Sequence, residues 1–499
     1  MVISVGIIAI FLVIALFLGI IASRGKDMSL EQWSVGGRGF GSIFIFLLMA
    51  GEIYTTNAFL GVSGWMYGKG SVAFYNIAML NYVIAYWLTP KIWAYGKKHS
   101  LLSQSDFFEK AYNSKILGTL VAIVGLAALI PYLVIQLKGL GIIVSEASYG
   151  AIDPKLTIWI GTIAMIAYVM VSGIHGSAWT AVIKDFLILG VVLFLGIYLP
   201  FHYYGGIQPM WEAIEAVKPG FLTLPDTGFS VSWYISTMML TSLGFYMWPH
   251  TFVATFSAKS GNALRKNAIM LPIYALFLLF ILFVGAAAVL QVPELEGGAV
   301  DLALFKISTQ TFNPVIVGFI GAAGLLTAIV PGSLILMSAA TLLAKNVVKP
   351  IRPQTTDQQI GIIARYSVPV IALVALYFTF SGSGAITLLF LMGYGLVTQF
   401  VPAVVCSLLK KNPLTVQGVF AGIIAGVTIV GWQASTGAHL SKLFPSWPSY
   451  IQDINIGFLA LSVNVLVSLI VSVFTRKITG KNGETTDEPT NEKTVENFQ

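Results

Sequence analysis

The sequence predicts an all-α polytopic membrane protein, and three observations predict it. Hydrophobic residues make up 57% of the 499-residue chain and charged residues only 10%, where a soluble protein carries about 25% charged residues. The deficit runs along most of the length, which calls for many membrane crossings rather than one anchor. Apolar runs of about 20 residues, enough to cross a bilayer as helix, recur near 2–23, 40–66, 72–92, 116–137, 156–174, 181–201, 232–256, 267–290, 314–344, 366–380, 384–409, 415–435 and 454–474. That is thirteen expected spans.

The first run, "MVISVGIIAIFLVIALFLGIIAS", has no basic residue before it, and Arg24 and Lys26 follow it. It reads as a span with its N-terminus outside rather than as a cleavable signal. This choice fixes the side of every later loop and can be tested by charge, because cytoplasmic loops collect Lys and Arg. Lys69, Lys138, Lys155, Lys218, Lys306 and Lys442 fall outside, and the other basic residues, Lys184 among them, fall inside. A missed or invented helix would scramble that alternation. The formal net charge of +7 is thereby explained by orientation, and no nucleic-acid partner is expected.

Span 2 contains "LLMAGEIYTTNAFLGVSG", in which Glu52, Tyr54, Thr55, Thr56 and Asn57 interrupt an apolar helix pattern. The same count places every other acidic residue in a loop or in the tail, leaving Glu52 alone within a span. An ionised side chain in hydrocarbon is costly, so an intramembrane carboxylate is a functional-site hypothesis. Span 7, "VSWYISTMMLTSLGFYMWPHTFVATFSAKS", carries Gly244, Pro249 and His250 inside it. Proline removes a backbone donor and clashes with the preceding turn. A broken helix at membrane depth is tolerated where it is buried in protein or lines a watery cavity. Two broken spans five helices apart fit an inverted repeat, whose unwound segments meet at the midplane to bind solute and cation.

Span 9, "VIVGFIGAAGLLTAIVPGSLILMSAATLLAKNVVKP", is rich in small residues that let helices approach closely. Its Thr327, Ser333, Ser338 and Thr341 either line a path or bond to their own backbone. Cys406, the single cysteine, sits in an apolar run and reads as a packed small residue; no disulfide is possible within the chain. The five histidines (His99, His175, His202, His250 and His439) are scattered, so a shared metal site is not expected. No Walker A, HExxH or GxSxG pattern occurs, and "VGGRGFGS" lacks the preceding strand of a nucleotide-binding loop. An enzyme and an ATP-driven pump are thus disfavoured. The polar stretch from Thr479 onward reads as a disordered cytoplasmic tail.

The stretches "SLEQWSVGGRGFG", "GVSGWMYGKG" and "GFYMWPHTF" with "SAKS" resemble the sodium/solute symporter family across residues 1 to 476. "AGEIYTT", "YLVIQLKGLGIIVSEASYGAI" and "VPGSLILMSAATLLAKNV" are most similar to its bacterial monocarboxylate-permease-like branch. The resemblance implies a LeuT-type fold of ten core helices in two inverted five-helix repeats. On that reading residues 1–39 hold a first helix and a cytoplasmic loop. Residues 40–409 form the core, with repeats 40–201 and 232–409. Two peripheral helices occupy 410–478, and the tail 479–499.

The resemblance also implies secondary symport in a multi-pass protein of the cell membrane, importing a small organic anion such as pyruvate, lactate or acetate. Other solute classes, namely amino acids, pantothenate or sugars, stay open because fold does not fix substrate. A sensor that barely transports is disfavoured by the lack of any signalling module after residue 476. No organic cofactor and no obligate protein partner are expected; the coupling ion is Na+ or H+.

In the family the sodium ion takes carbonyls from span 2 and a carbonyl plus two hydroxyls from span 9. Carried over by motif, the span 2 carbonyls fall on Gly51 and Tyr54, with Thr55 at a nearby family serine. The span 9 carbonyl falls on Thr327, but the hydroxyl positions fall on Val330 and Pro331, which offer no side-chain oxygen. Either the register slips, so that Thr327 or Ser333 supplies a ligand, or another ion couples and Glu52 carries a proton. Thr56 and Asn57, with Trp248 and His250 facing them and Gln136 from span 4, are the expected solute contacts; Lys138, at the outer end of span 4, could guide an anion inward but reads more readily as a snorkelling side chain.

Overall fold

The computed structural model describes residues 1–479 other than Ala78, Ser383 and Ala438, and the expected tail lies, from residue 480, outside the described residues. Ten helices among them are long and apolar enough to cross a membrane. The elements that position the site are α1 (Val2–Ser23), α2 (Ser42–Gly51), α3 (Val62–Lys69), α4 (Leu80–Lys98), α5 (Lys115–Ala147) and α6 (Pro154–Tyr204). They continue with α7 (Val231–Gly244), α8 (Pro249–Phe256), α9 (Gly261–Leu276), α10 (Leu278–Ala288), α11 (Pro314–Leu342), α12 (Asp357–Ser381), α13 (Ile386–Val397), α14 (Val416–Thr436) and α15 (Ile456–Thr479).

Three places explain why ten long helices stand against thirteen expected runs. Asn57–Lys98 counts once among the ten, although α3 ends at Lys69, a tighter 3-10 turn follows at Gly70–Ile77 and α4 begins only at Leu80. The 51-residue α6 would be about 77 Å long at 1.5 Å per residue, more than twice the roughly 30 Å of hydrocarbon. It bends at Gly173, whose φ of 51° and ψ of −146° lie in a region open essentially to glycine. A Cβ there would stand 2.5 Å from the carbonyl oxygen of Trp33. Trp33, on the short helix Leu30–Val35, donates its indole N–H to the Val169 carbonyl at 3.0 Å and wedges under this corner. The third place is the run 232–256, divided into α7 and α8.

Both expected interruptions are present. In the first, α2 stops at Gly51, the chain turns through Glu52–Thr56, and a wide π-type turn at Asn57–Gly61 leads into α3. In the second, α7 passes into a 3-10 turn at Phe245–Met247 and Trp248 is extended, with ψ at 137°. Pro249 then opens α8 at the first helical position, where its missing N–H costs nothing. The far ends of the two broken helices are stitched together: Phe40 N–H donates to the Ser257 carbonyl at 3.1 Å, and Lys259 N–H to the Phe40 carbonyl at 2.9 Å.

Two expectations are corrected here. Lys184, expected in an inside loop, lies within α6 and is fully buried; Asp185 beside it is 4% exposed. Glu52 is therefore not the only carboxylate within a span. The reason is local: His175, Ser177 and Thr180 lower the apparent hydropathy of the first turns after Gly173. Yet they face protein, His175 pairing with Gln32 at 3.2 Å, Ser177 with Ser333 at 2.7 Å and Thr180 with Tyr168 at 2.8 Å.

Farther along the chain, α14 packs against α15 through Gly418, Gly422 and Gly426. A Cβ on any of them would come within 2.0 Å of Ser472, Ser468 or Gln399 oxygens. The small-residue stripe thus brings two backbones close enough for polar groups to interlock.

Candidate functional site

The first break exposes backbone and polar side chains where α3, α7, α10 and α13 converge. They enclose a cavity of about 80 Å³ lined by Glu52, Thr55, Asn57, Tyr75, Asn81, Tyr82, Ser242, Phe245, Phe390 and Tyr394, among others. The Tyr75 hydroxyl, the Asn81 side-chain oxygen and the Ser242 hydroxyl are buried there with no protein hydrogen-bond partner. Buried polar groups in proteins are overwhelmingly satisfied, so this cluster is suited to a hydrated or ligand-filled pocket. Asn57 is held by the Thr387 hydroxyl, which donates to its side-chain oxygen at 3.2 Å.

The two breaks meet at Glu52. Its Oε2 lies 2.7 Å from His250 Nε2 and accepts from the Tyr132 hydroxyl at 3.5 Å. His250 and Glu52 are 1% and 5% exposed. In low dielectric such a pair is strong, and removing one partner strands the other. His250 Nδ1 is buried without a partner. An aromatic wall backs the pair: Trp248 stands 4.8 Å from Tyr132 and 5.4 Å from Tyr394, ring centre to ring centre, and lies nearly parallel to Phe390 at 6.3 Å. Gly393 makes room for that indole, since a Cβ would come 2.5 Å from it.

Of the expected solute contacts, Asn57 lines the cavity, together with Glu52 and Thr55, which were assigned to the ion. Trp248 and His250 stand behind the cavity lining. Gln136 accepts the Thr56 N–H at 3.4 Å and so braces the break, while the Thr56 hydroxyl is buried without a partner. Tyr75, Asn81, Tyr132, Ser242, Phe390 and Tyr394 were not singled out in the sequence. As aromatic or small polar residues in apolar runs they carry no signal that separates a lining from a core.

The expected ion residues form a different environment. The Tyr54 carbonyl accepts from Lys184 Nζ at 3.4 Å, and a Cβ on Gly51 would stand 3.7 Å from the same nitrogen. The Thr327 hydroxyl bonds to the Gly324 carbonyl of its own helix at 2.6 Å. Ser333 bonds to the Val330 carbonyl and to Ser177. Val330 packs with Leu47 and Ala181 in an apolar contact. A sodium ion needs several oxygens and does not fit these residues. One carbonyl is already engaged by an ammonium, and two unit charges 4 Å apart repel by about 4 kcal/mol at an effective dielectric of 20. No cluster of three or more His, Cys, Asp or Glu able to hold a metal occurs among the described residues.

Lys138 sits at the end of the molecule where Asp301, on the Gly297–Leu302 turn, meets the start of α13. Its ammonium bonds to the Gly384 carbonyl and lies 3.8 Å from Asp301. Asp301 Oδ2 accepts the Ile386 N–H at 3.0 Å, but Oδ1 is buried without a partner. Burial pushes the Asp301 carboxyl up to about 6, against the opposing pull of the Ile386 N–H and Lys138. The folded value exceeds the unfolded one of about 3.9. The folded contact of Asp301 with the Ile386 N–H is therefore fully favoured below about pH 4, and that advantage is lost as pH rises through 6. Hydrogen exchange of the Ile386 amide, corrected for its intrinsic pH dependence, is expected to accelerate on the order of a hundredfold between pH 4 and 7. Asp301→Asn should remove this excess; an equal acceleration in that variant would show that titration of Asp301 is not its cause.

The sodium:solute symporter family model matches residues 33–426. An uncharacterized symporter of Bacillus subtilis, YhjB, is 61% identical over 468 residues, covering 93% of this chain and 96% of the relative. A monocarboxylate transport permease protein of Rhizobium johnstonii is 27% identical over 94% of this chain and 96% of its own length. Among solved structures, a substrate-bound, outward-open Na+-coupled sialic acid symporter superposes with a TM-score of 0.76 at 15% identity, covering 95% of this chain and 97% of that one. At that identity the likeness speaks for the fold alone.

Proposed function

Because the chain belongs to the sodium:solute symporter family, and so is a cation-coupled membrane symporter and not an enzyme, we propose that its solute is a small monocarboxylate of the pyruvate, lactate or acetate type. The observation that carries this reading is the cavity at the junction of the two broken helices. A single water needs about 10–15 Å³ of such space, so about 80 Å³ suits a solute of a few heavy atoms better than a sugar. The Tyr75 and Ser242 hydroxyls offer unengaged donors to a carboxylate, and Phe245 and Phe390 offer apolar surface to a short carbon chain. The 27% identical monocarboxylate permease points the same way.

In this reading the chain crosses the membrane thirteen times. Asn57–Lys98 and Pro154–Tyr204 each count twice, and α7 with α8 make one further crossing. The core, 40–409, holds inverted repeats 40–201 and 232–409, with a first helix before it and two peripheral helices at 410–478. The N-terminus lies outside and the C-terminus inside the plasma membrane, supported by the uneven distribution of Lys and Arg. Thr55 and Asn57 contact the solute and Glu52, paired with His250, borders it, while Gln136, Thr56 and Trp248 hold the breaks that present them.

Counterflow in proteoliposomes tests the assignment, because exchange needs no ion gradient. Preloaded pyruvate should accelerate entry of labelled pyruvate, with acetate and lactate competing and proline and pantothenate not. Competition by proline instead would move the chain to another solute class. Ser242→Ala should weaken apparent pyruvate affinity about tenfold, the worth of one hydrogen bond to a charged group, with little change in thermal stability. Unchanged affinity would remove Ser242 from the pocket.

A further inference from the structure

We propose that the ammonium of Lys184 is a built-in cation that takes the place of sodium between the first broken helix and α6, so that transport by this chain does not use sodium at that position. This rests on the reading of the chain as a cation-coupled symporter. The argument begins with where the nitrogen sits. Lys184 is fully buried in a membrane protein, where a charged side chain is expensive and is kept for a purpose. Its Nζ reaches the Tyr54 carbonyl at 3.4 Å and Asp185 Oδ1 at 2.8 Å. The Tyr54 carbonyl was freed from helix by the break that starts at Glu52, and a carbonyl left over at an unwound segment is what cations bind in such folds. Here that oxygen receives an N–H donor supplied by the protein itself.

The remaining sides of the position agree. Helix α11 presents Val330, packed on Leu47 and Ala181, where a sodium site would need hydroxyls. The hydroxyls nearest in sequence, Thr327 and Ser333, are turned onto carbonyls of their own helix. Asp185 balances the ammonium and is itself steadied by the Tyr274 hydroxyl at 2.9 Å. Tyr274 packs edge-on against Tyr54 at 5.0 Å between ring centres. The titratable groups facing Lys184 are thus Asp185 on its own helix, Tyr54 at the break and Tyr274 on α9, with Tyr82 of α4 in electrostatic reach of both tyrosines. One positive and one negative charge close the site without a free ion. A sodium ion on the Tyr54 carbonyl would have to displace Lys184 from it and bring a second positive charge beside a buried ammonium that Asp185 alone balances.

The replacement also suggests why the arrangement is kept. In a symporter of this fold a bound cation clamps the broken helix to the helices beside it. Lys184 supplies the same clamp from α6 permanently, so the break stays docked whether or not sodium is present.

The test needs no knowledge of the solute. Purified protein is melted in 150 mM NaCl and in 150 mM KCl, because a ligand that binds only the folded state raises its Tm. The proposal expects the two midpoints to agree within about 1 °C. A sodium-specific rise of several degrees would overturn it. Lys184→Ala removes the built-in charge and leaves the Tyr54 carbonyl and Asp185 open, so this variant is expected to gain a sodium-dependent rise that the parent lacks. If the variant does not fold, the parent comparison still decides the matter. Uptake gives a second readout: accumulation of labelled pyruvate should survive replacement of sodium by potassium and follow an imposed pH gradient, whereas accumulation driven by a sodium gradient alone would overturn the proposal. Failure to move pyruvate at all would count against the monocarboxylate reading only, since the melting comparison reads the cation position by itself.

Discussion

Glu52→Gln is expected to leave a folded protein that neither accumulates nor exchanges solute, with initial rates down by roughly two orders of magnitude. The carboxylate lines the cavity and pairs with His250 at 2.7 Å, with both side chains almost fully buried. Truncating one partner of a buried pair costs about 3–5 kcal/mol. An amide keeps one hydrogen bond to the ring and so retains part of that stability, which leaves the variant folded; the stated factor in rate corresponds to about 3 kcal/mol lost from the transport step at about 1.36 kcal/mol per factor of ten. Loss of exchange as well as accumulation is the informative part. It places Glu52 with the solute, whereas a residue concerned only with the ion would lose accumulation and keep counterflow. Counterflow in the variant at the parent rate would return Glu52 to an ion-coupling role. His250→Gln is expected to reproduce the defect, since it unpairs the same carboxylate.

The second large effect lies at the opposite end of the molecule from Asp301. Asp106 belongs to the short helix Gln104–Tyr112, where Ser103 and Asp106 cap one another. Asp106 Oδ2 accepts the Leu102 and Ser103 N–H groups and the Lys345 ammonium at 2.8, 3.1 and 2.6 Å; Oδ1 accepts from Asn346 at 2.8 Å. Burial alone would raise its carboxyl, but the Lys345 charge and these hydrogen bonds outweigh burial and hold it below the ordinary range. A depressed carboxylate contributes stability that is present above the unfolded value of about 3.9 and is lost as pH falls below it. Asp106→Ala strands the Lys345 ammonium and two backbone N–H groups. We expect a loss of about 3–5 kcal/mol, read as faster thermal inactivation in detergent at pH 7. Asp106→Asn should lose less, and an Ala variant as durable as the parent would mean that solvent replaces the network.

The sequence discloses the breaks in α2–α3 and α7–α8 because polar residues and a proline intrude on patterns that otherwise read as lipid-compatible helix. Glu52 and His250 stand out for the same reason, each being the wrong chemistry for its neighbourhood. Lys184 and Asp185 have the same chemistry but were placed in a loop. Between Gly173 and Ala181 the chain is polar enough to resemble a connection, and hydropathy cannot tell a polar face turned toward protein from one turned toward water. Tyr132 and Phe390 escape notice for the converse reason: an aromatic residue in an apolar run is ordinary until its neighbours across the bundle are known. Val330 and Pro331 were legible as an absence of oxygen, but the ammonium that makes this absence workable comes from a helix far away in sequence.

The two hydrogen bonds between Phe40 and the Ser257–Lys259 backbone tie the start of the first broken helix to the end of the second, and Trp93 of α4 ties that same end to a neighbouring helix by donating to the Ala258 carbonyl at 2.7 Å. Mechanically this is a yoke. A displacement imposed on either half-helix at that end is passed to the other through these bonds, while the breaks at Glu52 and Trp248 lie away from it. A rocking motion built on this pair would pivot at the yoked end, with the cavity set away from the pivot along the two half-helices.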